Sequence, residues 1–162
     1  MQYRVFILPI ALGMLFSSVL YAHCQMPCGI YDDQTRIILM KENITTIEKA
    51  MNEINRLGNA DKVNYNQLVR WVNTKDMHAN EFSEVVSYYF LTQRIKITDP
   101  SDKEAFAKYQ KQLTILHQML VYSMKCKQTT DLENVKKLSQ LVDQFVETYF
   151  SKEDIEHLKE HH

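Results

Sequence analysis

Apolar residues recur three and four apart at Ile37, Met40, Ile44, Ile47, Met51, Ile54 and Leu57, which draws one stripe along a helix ending at Gly58. The same spacing returns in three later runs. Leu68, Val72, Ala79, Phe82, Val86 and Tyr89 share a face in a run that ends at Asp99-Pro100, with Lys75 interrupting the stripe. A capping box, Ser101 to Glu104, opens a third run with Phe106, Tyr109, Leu113, Leu116, Leu120 and Met124. A second box, Thr130 to Glu133, opens a fourth with Val135, Leu138, Val142, Phe145 and Tyr149. Only three glycines and three prolines occur in 162 residues, too few for the tight connections of an all-β chain. Four amphipathic helices joined by short loops bury their stripes most simply as an all-α, up-down-up-down antiparallel four-helix bundle.

One such domain accounts for the length. The 19 basic and 20 acidic side chains nearly cancel, so no long-range field favours nucleic acid or an anionic membrane as partner.

Residues 1–22 have a different character. Arg4 precedes an almost continuous apolar run from Val5 to Leu20, and Ala22 supplies a small residue at its end. Pro9 and Gly13 interrupt that run, which is short for a membrane span. A signal peptide cleaved after Ala22 is expected. Residues 23–162 are then the mature domain, exported to the periplasm or beyond the cell, with signal peptidase as the maturation partner and no membrane association.

Cleavage there exposes His23-Cys24-Gln25-Met26-Pro27-Cys28-Gly29-Ile30-Tyr31, which fits none of the helices. A free α-amine, an imidazole, a backbone amide that a metal can deprotonate and two thiolates fall within six residues. Nitrogen and thiolate donors in fused chelate rings suit Ni(II) or Cu(II) in a square plane better than tetrahedral Zn(II). Two other chemistries use the same cysteines. Cys24, Cys28 and Met26 are soft donors for Cu(I), which would make the chain an exported copper-binding or copper-carrying bundle. Alternatively, Cys24 and Cys28 form a disulfide in an inert structural bundle, but such a bond gains nothing from a histidine at the cleavage point.

The pattern His-Cys-x-x-Pro-Cys-Gly-x-Tyr behind a processing site resembles the nickel hook of the nickel superoxide dismutases. That resemblance implies an antioxidant oxidoreductase that converts superoxide to dioxygen and hydrogen peroxide, and a homohexamer of four-helix bundles with one nickel ion per subunit. It implies metal ligation by the His23 amine, the Cys24 amide nitrogen and the thiolates of Cys24 and Cys28, with the His23 imidazole as axial ligand of the oxidised state. Anionic amidate and thiolate donors make Ni(III) reachable, which hydrated nickel does not allow. It also implies that Tyr31 guards access to the metal, and that Tyr89, in the Tyr88-Tyr89-Phe90 run, is a second such tyrosine.

The chain departs from the family pattern at three places. Gln25 stands where better-known members have Asp. A Glu on the first helix and an Arg on the second orient the imidazole in those members, whereas the matching stretches here read Arg36-Ile37-Ile38-Leu39 and Asn73-Thr74-Lys75-Asp76. Lys75 is the nearest replacement in the second stretch. Elsewhere, His157, His161 and His162 read as a polar tail, His78 and His117 as surface or packing residues, and Cys126 as a buried free thiol. Asn43-Ile44-Thr45 fits a glycosylation pattern but falls within the first helix. Met40, Met51, Met119 and Met124 follow core spacing rather than marking a copper stripe.

Overall fold

The computed structural model describes residues 32–152 together with Ile155. Four α-helices run in order: α1 over Asp33–Gly58, α2 over Tyr65–Glu84, α3 over Lys103–Gln128 and α4 over Leu132–Tyr149. A π-helical segment, Val85–Arg94, continues α2 without a break. The expected four-helix bundle is therefore what forms.

Side-chain bonds between neighbouring helices give the topology. Asp33 meets Tyr89 and Asn43 meets His78, so α1 and α2 run antiparallel. Lys75 reaches Cys126 while Ser83 reaches Ser123, which sets α2 against α3. Gln112 meets Thr148 between α3 and α4, and Asn55 bonds to Thr130 while Asp33 bonds to Tyr149 between α1 and α4. Each helix thus packs on its two sequence neighbours around a ring, the up-down-up-down arrangement.

The stripes of α1 and α4 are buried as their spacing predicts: Ile37, Met40, Ile44, Ile47 and Met51 on α1, and Val135, Leu138, Leu141, Val142 and Phe145 on α4. Burying each large side chain contributes roughly 1.5–3 kcal/mol, so these faces dominate the packing energy. Two details differ from the sequence reading. On α3 the buried face is Gln112, Ile115, Leu116, Met119, Ser123 and Cys126, and Met124 is half exposed. The inward face is rotated toward small and polar residues because Ser123 sits at a close approach to α2, where its Oγ donates to the Ala79 carbonyl at 2.8 Å and accepts from Ser83 at 2.9 Å. On α2 the first half of the expected stripe is only lightly covered, with Val72 exposed, whereas Lys75 is just 3% exposed.

The N-caps also differ by one residue from the expected boxes. Asp102, not Ser101, caps α3 by accepting from Ala105 N at 3.1 Å, and the Ser101 amide donates to the Asp99 carboxylate at 2.8 Å. Asp131 caps α4 in the same way through Glu133 N. A free carboxylate is available one residue beyond the hydroxyl in both boxes, and it takes the cap.

The second helical run was expected to continue to Asp99-Pro100, but its α-helix ends at Glu84. From there hydroxyl and amide side chains engage the backbone five residues back: Thr92 Oγ1 donates to Ser87 O at 2.7 Å and Gln93 Nε2 to Tyr88 O at 2.8 Å. The Ile95 amide donates to Phe90 O with the same five-residue reach. Side chains that offer the backbone alternative partners favour such a widened turn.

Candidate functional site

The π segment ends beside the beginning of α1. Asp32 caps α1, its carboxylate accepting from Gln34 N at 3.1 Å and from the Thr35 amide and hydroxyl. Asp33, the first residue of the helix, is thereby released from capping, and its carboxylate turns to three donors from other elements. Tyr89 OH donates to Oδ1, Arg94 Nε lies 2.7 Å from the same oxygen, and Tyr149 OH donates to Oδ2 at 2.7 Å. Arg94 Nη2 also donates to the Tyr89 hydroxyl at 2.8 Å. The guanidinium groups of Arg94 and Arg36 both stand over the Tyr89 ring, 5.0 and 5.4 Å from its centroid. Beneath this polar layer Phe90, Phe145 and Tyr149 pack ring against ring at 4.9 to 5.6 Å, which fixes where the two phenols emerge.

The π geometry makes the pairing of Tyr89 with Arg94 possible. Residues five apart on an α-helix point about 140° away from each other, whereas hydrogen bonding across five residues brings them nearly one above the other. An α-helix continued through this segment would carry Arg94 away from Tyr89 and Asp33.

Burial, and then the hydrogen bond to Asp33, push the Tyr89 phenol up to about 12 against the opposing effect of Arg94. The same two causes raise Tyr149 well above the ordinary tyrosine range. Both therefore remain protonated donors at neutral pH. Burial likewise pushes the Cys126 thiol from 9.0 to about 11. All three groups keep protons in the folded chain that the unfolded chain has released. Their contribution to stability is complete below their unfolded values and is lost as pH rises through the folded ones. Thermal denaturation followed from pH 8 to 12 should show stability falling from about pH 9 upward, and the double variant Tyr89→Phe, Tyr149→Phe should flatten the part above about pH 10. A profile rising over that range would contradict the assignment.

Of the residues singled out in the sequence, His23, Cys24, Cys28 and Tyr31 lie outside the described residues, as do His157, His161 and His162. Tyr89 is at the heart of the cluster. Lys75 is not: fourteen residues earlier, roughly 20 Å along the helix, its ammonium is engaged by Asp76 Oδ1 at 2.9 Å, Cys126 O at 2.8 Å and Lys127 O. It ties α2 to the end of α3. Cys126 is a buried free thiol, as its isolation in the sequence suggested. Asn43 is only 7% exposed and its Oδ1 accepts from His78 Nδ1 at 2.7 Å, so both are packing residues, and the glycosylation pattern there is closed in the folded chain.

The sequence reading did not single out Asp33 or Arg94, and it placed Tyr149 only on the core stripe. The one signal for Asp33 is its position, two residues after Tyr31. Arg94 carries none, because its partnership depends on the π turn.

Among the described residues no group of three or more His, Cys, Asp or Glu side chains is placed to hold a metal. The His23–Cys28 segment carries an imidazole and two thiols, nitrogen and sulfur donors that suit nickel. The family model described as nickel-containing superoxide dismutase matches residues 18–153, a span that includes all of His23 to Tyr31 and the four helices. No curated protein and no solved structure matches the chain. With a four-helix bundle behind a His-Cys-x-x-Pro-Cys-Gly-x-Tyr segment and a family match over most of its length, this chain belongs to the nickel-containing superoxide dismutase family.

Proposed function

We propose that the nickel of this dismutase is held by the N-terminus created when the chain is cut after Ala22, with His23, Cys24 and Cys28 as its protein ligands. The observation that carries this reading is the donor-rich segment itself, within the matched span. It is supported by the lack of any competing metal-binding group among the described residues. Because the family is nickel-containing, the same cysteines are better assigned to nickel than to a Cu(I) cargo. When bound, nickel supplies the Ni(II)/Ni(III) couple that takes an electron from one superoxide and gives it to another. Two superoxide ions and two protons become one dioxygen and one hydrogen peroxide.

The chain's own residues supply the rest. The His23 amine, the Cys24 amide nitrogen and the two thiolates provide electron-rich donors, and the His23 imidazole supports the oxidised metal. Tyr31 and Tyr89 govern which small molecules reach the metal, Tyr89 as a neutral phenol with its proton directed to Asp33. The reading extends to the whole protein: residues 1–22 are a signal peptide removed by signal peptidase, the mature chain is exported to the periplasm or outside the cell without membrane attachment, and it assembles as a homohexamer. An end-mounted metal segment has a physical reason to assemble, since a neighbouring subunit can pin it.

Intact mass and N-terminal sequencing of the active protein, paired with nickel analysis and a superoxide assay, test this reading. The expected result is a chain starting at His23, with one nickel per subunit, that elutes as an oligomer much larger than a dimer. A stable, fully active form that retains Ala22 would refute the ligand set, and a fully active monomer would refute the assembly.

A further inference from the structure

We propose that Asp33 is a positioning residue for the metal-binding segment: it fastens the chain five residues after Cys28 to the π segment and α4, and it holds the Tyr89 hydroxyl in one orientation. The inference rests on the hook and Tyr89 roles given above.

One helix-start carboxylate receives two phenols and a guanidinium from two other elements. Helix capping does not need it, because Asp32 already caps α1. A salt bridge that served only to join α1 to the π segment would need Arg94 alone. Here the two tyrosines converge as well, and the widened π turn is what brings Arg94 onto the Tyr89 face. The Tyr89 hydroxyl has a single proton, donated to Asp33, and it accepts from Arg94. Its orientation is thus set from both sides. A phenol held this way meets small molecules as an acceptor, while one released from Asp33 rotates and donates elsewhere. Among the described residues, the charged and titratable groups that face Tyr89 are Asp33 and Arg36 from α1, Arg94 from its own segment and, through Asp33, Tyr149 from α4.

The test compares Asp33→Ala with Asp33→Asn in the full processed protein. Asparagine keeps an oxygen for Tyr89 and Arg94 but loses the charge. Alanine removes the anchor. In metal-free protein, phenolate absorbance is titrated with the Tyr89→Phe variant subtracted, which isolates this phenol among the tyrosines left after Tyr3 and Tyr21 are removed with residues 1–22. Tyr89 should titrate well above ordinary tyrosine in the parent and lower in Asp33→Ala, though still above about 10, because burial, the larger cause, remains. In nickel-loaded protein, Asp33→Ala should keep its metal but shift the thiolate-to-nickel absorption bands and lose about 10–100-fold in kcat, the usual range for an outer-shell partner, and Asp33→Asn should recover most of that loss. The proposal is overturned if the Tyr89 titration does not move. It is also overturned if Asp33→Ala keeps parental bands and kcat per bound nickel, or if asparagine is no better than alanine. Failure of the parent itself to bind nickel would instead sink the hook reading, and the metal-free titration would still report on whether Asp33 holds Tyr89.

Discussion

Cys24→Ser and Cys28→Ser should each strip the protein of nickel and bring dismutase activity below about 1% of the parent. Loss of an outer-shell partner already costs about 10–100-fold, and these residues are proposed as ligands themselves. A serine hydroxyl is neutral at the working pH and is a hard donor when ionised, so it cannot replace the thiolate that makes Ni(III) accessible. The bundle should survive both changes, because the buried core of α1 to α4 is built among the described residues from Ile37 onward. His23→Ala separates ligation from turnover: it retains the amine and both thiolates, so nickel should stay while most activity goes. An extra Ala between Ala22 and His23, with cleavage still after Ala22, moves the amine out of the chelate ring and should be as damaging as losing a cysteine. Metal analysis, circular dichroism and a superoxide assay on the four proteins check the set. Normal nickel content and full activity in the extended protein would show that the N-terminal amine is not a ligand.

Lys75→Met should destabilise the bundle by about 2–4 kcal/mol, the cost of leaving a buried acceptor without a donor. The ammonium is almost fully buried and donates to the Cys126 and Lys127 carbonyls in the last turn of α3, where no intrahelical amide reaches them. A cation at that end also complements the helix dipole. Methionine fills the space but donates nothing, so the Cys126 carbonyl stays buried and unpaired, and the Lys127 carbonyl, on an exposed residue, loses its donor. For a domain of this size the change corresponds to a fall of roughly 8–15 °C in Tm. Asp76 makes the same ion pair from the solvent side with 41% of its side chain exposed, so Asp76→Asn should cost less than about 1 kcal/mol. Equal losses in the two variants would show that the ion pair, rather than the capped carbonyls, carries the stability. Nickel content should be unchanged in Lys75→Met, because the residue is far from the Asp33 cluster.

Much of this protein is legible along the chain because the signals are local. Spacing of three and four residues announces four helices, and their number and short connections leave the antiparallel ring as the simplest burial. The segment proposed to bind the metal is equally local, since its candidate donors fall within the six residues His23 to Cys28. Resemblance alone singles out Tyr89 between Tyr88 and Phe90 for its proposed role.

Other features depend on register between segments far apart in sequence. Lys75 reads as an interruption of an apolar stripe, and only the antiparallel pairing of α2 with α3 supplies the carbonyls that let an ammonium be buried. The inward face of α3 turns toward Ser123 because a close approach to α2 rewards a small hydroxyl more than another Leu. Asp33, Tyr89, Arg94 and Tyr149 lie as much as 116 residues apart. No period links them, and the sequence of Val85–Arg94 fits an ordinary helix as well as a widened one. The sequence by itself determined the four helices, through interactions between near neighbours, and it carries the donors proposed for the metal. The tertiary structure decided the polar setting around Tyr89, because a partly buried carboxylate such as Asp33 is stable only where the fold brings enough donors to it.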